Sequence, residues 1–500
     1  MNKFKLLIII LVLVFLFSLV DIFGLALTPP GFVYYHPDTD INVYYTYMDQ
    51  AREGRFWFCN QFAVEEHQCK LFFPLWYAAG RLGETFNISN FVSLILIRII
   101  ILLILFYVFF AFCKKLFPAH KLTVFLLGVF SGGVFLYYLH SNIFTISLQN
   151  PLNALVCILL ILILWLTIEC FENRISVWRG IGLFVLCWLL VMLHTYEAII
   201  LIINSSTLIL LSAFFSYKRF IKSIKIFIIV SLGSVLGLLY YLHLFLTSEA
   251  YGGWLVNNYL PLFSTLSIIF NFGLLLPFSL LGAYLIMKNR VKINQWAVIL
   301  SWLMGGWAAI ILPLYVNSKF LLSWYLGSIF VTIYLVIYLI KKQLFHRYNK
   351  VVIVSILFIL ILGNMRFYFG ELSSIFKVGY PRYLPQEYIK PLDWLKENSG
   401  LDESLIGSAR WDTFIASHSG LRTFIGSNQV YQRELKMNLV DWFYSDNSQD
   451  PEKQQFLKDY NIYYVYYSPV EKEKGSYDPE SKDYLEKVYN DGWARIFKVK

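Results

Sequence analysis

The chain has 500 residues, of which 58% are apolar, 19% aromatic and only 15% charged. An ordinary globular chain is about a quarter charged, so this one has too little charge to cover a soluble surface. A disordered chain, a secreted disulfide scaffold and a cytosolic enzyme are excluded. The net charge of +10 hides two regions: residues 1–369 carry 25 Lys/Arg against 12 Asp/Glu, and residues 370–500 carry 17 against 20. The basic excess sits in the apolar region and reports orientation. Nucleic acid, which would need a basic patch on a soluble face, is not an expected partner.

The first apolar run, 6–27, follows Lys3 and Lys5. It resembles a signal peptide in place, but its length of about 20 residues suffices to span, and Thr28-Pro29-Pro30-Gly31 reads as a helix exit rather than a cleavage pattern. Further runs lie near 90–112, 122–139, 152–168, 180–193, 198–215, 226–246, 267–287, 295–314, 320–340 and 351–368. The break His194-Thr195-Tyr196-Glu197 fits either a tight turn or a kink. Counted as a turn, it gives about eleven transmembrane helices. The expected architecture is therefore an α-helical polytopic membrane protein, residues 1–369, with a first outer loop at 28–89. With the amino terminus cytoplasmic, 18 basic residues fall in inner loops and five in outer ones, as the positive-inside rule requires. Residues 370–500 then lie outside the plasma membrane.

That tail reads as a small extracytoplasmic α/β domain. Helical patterns occur near 386–398, 452–460 and 479–490, and strand-like runs at 404–408, 460–467 and 493–499. Of six cysteines, Cys113, Cys157, Cys170 and Cys187 lie in or near apolar runs and read as small apolar residues. Cys59 and Cys69 share the first outer loop with nine residues between them. An oxidising exterior permits a bridge there, although spacing alone does not bring the sulfurs together. His36, His67, His140 and His194 fall near the same face, with no ligand spacing that identifies a metal.

The first outer loop holds seven of the 12 acids of residues 1–369: Asp38, Asp40, Asp49, Glu53, Glu65, Glu66 and Glu84. Its informative stretch runs Tyr34-Tyr35-His36-Pro37-Asp38-Thr39-Asp40-Ile41-Asn42-Val43-Tyr44, followed by Gly54-Arg55-Phe56-Trp57. A carboxylate just beyond a membrane helix can accept a proton from an acceptor hydroxyl. It can also hold a divalent cation against a phosphate. By itself, D-x-D is weak, and it is more often the pattern of a solvated loop.

In architecture the whole chain resembles the GT-C class of membrane glycosyltransferases, which includes protein O-mannosyltransferases and aminoarabinose transferases. The likeness is greatest to uncharacterised bacterial members. It rests on Asp40, Tyr44 and Gly54-Arg55-Phe56-Trp57, on Gln149-Asn150-Pro151, on His194-Thr195-Tyr196-Glu197, and on Trp394-Leu395-Lys396-Glu397-Asn398 and Ser419–Gly426 in the tail. Two departures stand out. The loop His140–Thr145 lacks the second acid that many members carry, and the tail lacks a Trp-Trp-Asp signature of en bloc oligosaccharide transfer.

The resemblance implies a polyprenyl-phosphate sugar donor, a lipid, glycan or protein acceptor, and membrane lipids as partners. It implies single displacement, with Asp40 as base and Asp38 supporting it. The leaving phosphate needs a cation, for which Lys319, Arg366 and Arg382 are the candidates. His36, Tyr44, His194 and Glu197 are further site candidates. Two other classes fit a polytopic chain: a transporter or lipid flippase, and an anchored binding protein. A transporter would favour internal repeats and mid-membrane charges. No repeat is evident, and Arg98 reads as the one charge clearly inside a run. Eleven spans exceed what an anchor needs.

Overall fold

In a computed structural model, the structure describes residues 3–35, 39–132, 142–148, 151–248, 250–251, 273, 275–289, 293–311, 317–342, 349–379, 382–408, 412–426, 430 and 432–500. Every apolar run read from the sequence carries a helix within them. Helix α1 is Lys3–Ala26, followed by the short strand β1, Phe32–Tyr34. The segment between this helix and the next long apolar one contains two helices. α2, Thr39–Arg52, starts with Asp40 in its first turn and ends on Arg52, charges that suit the helix dipole. α3, Pro74–Thr85, opens on Pro74, whose missing N–H costs nothing there.

The apolar helices continue with α4 (Asn90–Leu116), α5 (Lys121–Phe130), α6 (Ile143–Ser147), α7 (Pro151–Glu172), α8 (Val177–Leu193), α9 (Glu197–Ala213) and α10 (Tyr217–Thr247). They end with α11 (Leu275–Asn289), α12 (Ile293–Ile311), a 3-10 turn at Asn317–Phe320, α13 (Leu321–Lys342) and α14 (Asn349–Ser374). Six of the described helices are long and apolar enough to cross a membrane: α1, α4, α7, α10, α13 and α14. α5, α8, α9 and α11 are shorter and apolar. The chain is a polytopic membrane protein.

The described residues divide into two compact units. One comprises Met1–Val20, Ile97–Tyr241 and Leu260–Ser373; the other comprises Asp21–Leu96, Leu242–Tyr259 and Ser374–Lys500. In the first, α9, α12 and α13 pack through small residues, which let backbones approach closely. A Cβ on Gly327 would lie 2.5 Å from the Leu303 nitrogen. Where α5 stops at Phe130, its freed carbonyls are taken up internally. Tyr325 donates to the Gly128 carbonyl at 2.7 Å, and Asn364 donates to the Phe130 carbonyl at 2.7 Å. Membrane backbone needs such partners because no water supplies them.

In the second unit, β2 (Tyr383–Pro385) pairs antiparallel with β1, Tyr34 opposite Tyr383. α15 (Gln386–Asn398), β3 (Ser404–Ile406), α16 (Asp412–Ser419), β4 (Arg422–Thr423), α17 (Arg433–Ser445) and α18 (Asp450–Asp459) follow. β5 (Tyr464–Tyr467), α19 (Pro469–Lys472), β6 (Leu485–Asn490) and β7 (Arg495–Val499) complete the chain. The sheet runs β4-β3-β5-β7-β6, parallel in its first three strands and antiparallel in the rest. Successive residues point to opposite faces. Ile406, Val465 and Phe497 pack with Phe443 and Leu457 on one side, and Leu405, Tyr464 and Ile496 with Leu392 and Ile415 on the other.

Two sequence expectations fail here. The helical pattern at 479–490 is one 3-10 turn, Pro479–Ser481, and then β6, because the chain pairs with β7 instead of coiling. Arg98 is not the one charge within an apolar run: Asp21 lies in α1, and both are buried.

Candidate functional site

α2 organises the acids of the segment between α1 and α4. Asp40 sits in its first turn and is exposed, with Tyr44 one turn on. Tyr44 stacks on Trp76 of α3, with ring centroids 4.1 Å apart and planes 16° from parallel. The helix is held from beneath. Ile41, Asn42, Tyr47, Met48 and Ala51 are buried, and Gly80 of α3 meets the Met48 carbonyl so closely that a Cβ would lie 2.4 Å from it. Asp40 is thus an exposed carboxylate on a rigid support. Asp38 and His36 lie outside the described residues, as do His140, Gln149 and Asn150.

The buried side of α2 holds a second carboxylate that sequence reasoning did not single out. Asp49 Oδ1 accepts from Lys396 Nζ of α15 at 2.8 Å and from Asn90 Nδ2 at 3.0 Å. Arg52 donates to the Asn90 side chain at 2.7 Å and to the Ile88 carbonyl. Above them, Asn42 donates to the Tyr35 hydroxyl at 2.7 Å. His418 of α16 faces Asp49 and Lys396, and burial lowers its pKa from the ordinary 6.5 to about 4, leaving it neutral. Arg55 grips Asp402 with two bonds of 3.1 and 2.8 Å, and Arg422 adds a third at 3.0 Å. The paired guanidinium of Arg55 holds the Asp402 carboxyl below the usual range.

Cys59 and Cys69 form a disulfide. Cys113, Cys157, Cys170 and Cys187 are free and buried. Inside the disulfide loop, His67 Nε2 accepts from the Asn60 amide at 3.0 Å, and Glu65 meets Lys436 of α17 at 2.6 Å.

The candidate cations differ in setting. Arg382 is buried, donating from Nε to Ser374 Oγ at 3.0 Å and from a terminal nitrogen to the Tyr34 hydroxyl at 3.1 Å. Tyr34 in turn donates to Asp21 Oδ1 at 2.9 Å. Arg366 is exposed on α14, and Lys319 is half-buried in the 3-10 turn before α13. The turn at 194–197 separates α8 from α9. There His194 Nδ1 lies 3.2 Å from Glu197 Oε1, while Glu197 Oε2 is buried with no hydrogen-bond partner among the described residues. Among the described residues no three His, Cys, Asp or Glu side chains gather as a metal site.

No protein-family model and no curated protein matches the sequence. Solved structures do match. An oligosaccharyltransferase from Archaeoglobus fulgidus in its apo form aligns over 93% of this chain and 70% of its own, with TM-score 0.61 and 13% identity. The same archaeal enzyme with an inhibitory peptide and a dolichol-phosphate aligns over 91% of this chain and 69% of its own, with TM-score 0.57 and 12% identity. A mycobacterial arabinofuranosyltransferase aligns over 100% of this chain and 40% of its own, with TM-score 0.58 and 13% identity. At these identities the likeness establishes the fold, which is that of the GT-C membrane glycosyltransferases.

Proposed function

We propose that the protein is an integral membrane glycosyltransferase that moves a sugar from a polyprenyl-phosphate-linked donor to an acceptor on the extracytoplasmic face. The observation that carries this reading is the exposed Asp40, in the first turn of the helix that follows α1, within a GT-C fold. The archaeal neighbour was captured with a dolichol-phosphate, which supports a lipid phosphate as the leaving group.

In the mechanism, the acceptor oxygen attacks the anomeric carbon as the bond from that carbon to the phosphate oxygen breaks. Asp40 takes the acceptor proton, Asp38 supports it, and the configuration at the sugar inverts. The departing phosphate carries away the electron pair and meets Lys319 or Arg366. Arg382 is engaged with Tyr34 and Ser374, which favours a positioning part for it. The reading includes eleven spans, a cytoplasmic amino terminus, and an extracytoplasmic 370–500 at the plasma membrane.

The test is transfer of radiolabelled sugar from polyprenyl-phosphate donors in membranes that contain the protein. Asp40→Asn keeps size and removes basicity, and should slow transfer about 10²–10⁴-fold at unchanged thermal stability. Full activity in that variant would remove Asp40 as the base.

A further inference from the structure

Two large rings of the loop after α2 are half exposed, Phe56 at 47% and Trp57 at 49%. They belong to a cluster. The Phe56 ring lies 4.8 Å from Phe72, 5.4 Å from Tyr77 and 5.5 Å from Trp57, and Trp57 lies 5.6 Å from Phe72. The backbone presents it. Phe58 and Leu71 pair in an antiparallel bridge, exchanging bonds of 2.7 and 3.1 Å, and both side chains are buried. Neighbours in extended pairing point to opposite faces. Trp57 and Phe72, one step further out on each side, therefore turn their rings away from the core. The Cys59–Cys69 disulfide closes the pair on its inner side, and α3 adds Tyr77.

Two routes from this cluster lead to membrane-length helices. The Tyr251 hydroxyl lies 3.0 Å from the Gln68 carbonyl and 3.4 Å from the Phe58 carbonyl. Tyr251 is four residues beyond Thr247, the last residue of α10. Four residues reach at most about 14 Å, so Tyr251, whose hydroxyl meets the bridge, lies close to the end of that helix. In the other direction, α3 leads to Phe86, 65% exposed, four residues before α4 begins at Asn90. Rings with polar edges concentrate where hydrocarbon meets headgroups.

We propose that Phe56, Trp57, Phe72 and Tyr77 form an aromatic anchor seated in the headgroup layer of the bilayer. The anchor stands apart from the glycosyltransferase reading. Its consequence rests on that reading: α2 is held at the depth at which a lipid-linked donor presents its phosphate.

The test uses the full chain in phosphatidylcholine vesicles that contain lipids brominated at shallow or deep acyl positions. Tryptophan emission of Trp57→Phe is subtracted from that of the unmodified protein, leaving the Trp57 signal. Because the headgroup layer lies outside a core about 30 Å thick, shallow bromines should quench that signal at least about two-fold more than deep ones. Aqueous iodide should leave it almost unchanged. A second variant, Phe56→Trp in the Trp57→Phe background, moves the reporter one position and should show the same order. Quenching by iodide with no effect of either brominated lipid overturns the anchor. Protection from iodide by a soluble neutral oligosaccharide, without lipid quenching, overturns it too and makes the cluster a sugar platform. Activity is not read, so failure of the anchor and failure of the transferase reading are separable.

Discussion

Asp49 accepts a hydrogen bond from Lys396 at 2.8 Å although 347 residues separate them, with the carboxylate side chain 5% exposed and the lysine 45%. Asp49 lies nine residues after Asp40, two and a half helical turns at 3.6 residues each. The two carboxylates therefore point in opposite directions, Asp40 outward and Asp49 against the helices and sheet that follow α14. Asp49 Oδ2 is buried with no hydrogen-bond partner among the described residues, so Oδ1 carries the pairing.

Removing the lysine leaves a buried carboxylate with Asn90 as its remaining named partner. Lys396→Ala should lower stability by about 1–3 kcal/mol, less than for a wholly buried pair because Lys396 is partly in water. Unfolding in detergent checks this. A loss below about 0.5 kcal/mol would mean that solvent compensates for the pair.

His418 gives a pH dependence. Its folded pKa of about 4 lies below the ordinary 6.5. Above 6.5 neither state holds the proton. Between 6.5 and about 4 the unfolded chain binds it and the folded chain does not, so stability falls as the pH falls. The slope is about 1.4 kcal/mol per pH unit, and the total is about 3 kcal/mol. The groups facing the ring are Asp49, Lys396, Ser417 and the Phe414 carbonyl. Carboxylates also titrate in this range, so the reading is a difference. His418→Gln should flatten the acid limb relative to the unmodified protein, in thermal unfolding followed from pH 7.5 to 4. Parallel curves would place the acid sensitivity elsewhere.

The apolar helices were legible because a run of about 20 apolar residues has few other structures open to it. The inner face of α2 was not. In sequence Asp40 and Asp49 are two acids of one loop, and what separates them is which side of the helix packs on α3 and α16. Asp21 was hidden by its apolar neighbours, since its partner Tyr34 lies beyond the helix end. The aromatic-rich run 460–467 announced a strand, and the structure places β5, Tyr464–Tyr467, at the centre of the sheet. β6 did not announce itself, because its exposed Glu486 and Lys487 and its place at the sheet edge leave little hydrophobic period. Cysteine spacing permitted a bridge, while the pairing of Phe58 with Leu71 is what aligns the two sulfurs.

The disulfide should matter to stability through the unfolded chain. Cys59 and Cys69 are 10 apart in sequence, a short loop. Closing a loop of that size is worth about 2–3 kcal/mol in the chain-entropy account. The paired variant Cys59→Ser with Cys69→Ser should lose about that much, measured by chemical unfolding in detergent. The intact mass of the unfolded chain alkylated with prior reduction should exceed that alkylated without it by two cysteines' worth of label, the four free cysteines being labelled in both. Equal labelling with and without reductant would show that the bridge is absent.

Arg382, Tyr34 and Asp21 form a buried chain of donors and acceptors at the ribbon of β1 and β2. Arg382 donates to the Tyr34 hydroxyl at 3.1 Å, and that hydroxyl donates to Asp21 at 2.9 Å. Tyr34 also packs its ring edge-on against Phe91 and Tyr383. Tyr34→Phe keeps those ring contacts and deletes the shared oxygen, so its cost isolates the polar link, about 1–3 kcal/mol for buried groups. Arg382→Lys keeps the charge but replaces a planar fork with a point charge, which cannot reproduce bonds to both Ser374 and Tyr34. The two changes act on one chain, so they should not add. In a double-mutant cycle read by thermal unfolding, the coupling should fall at about 0.5–3 kcal/mol. Additivity within about 0.3 kcal/mol would mean that the two bonds are independent neighbours, and Arg382 would then be better spent on a phosphate.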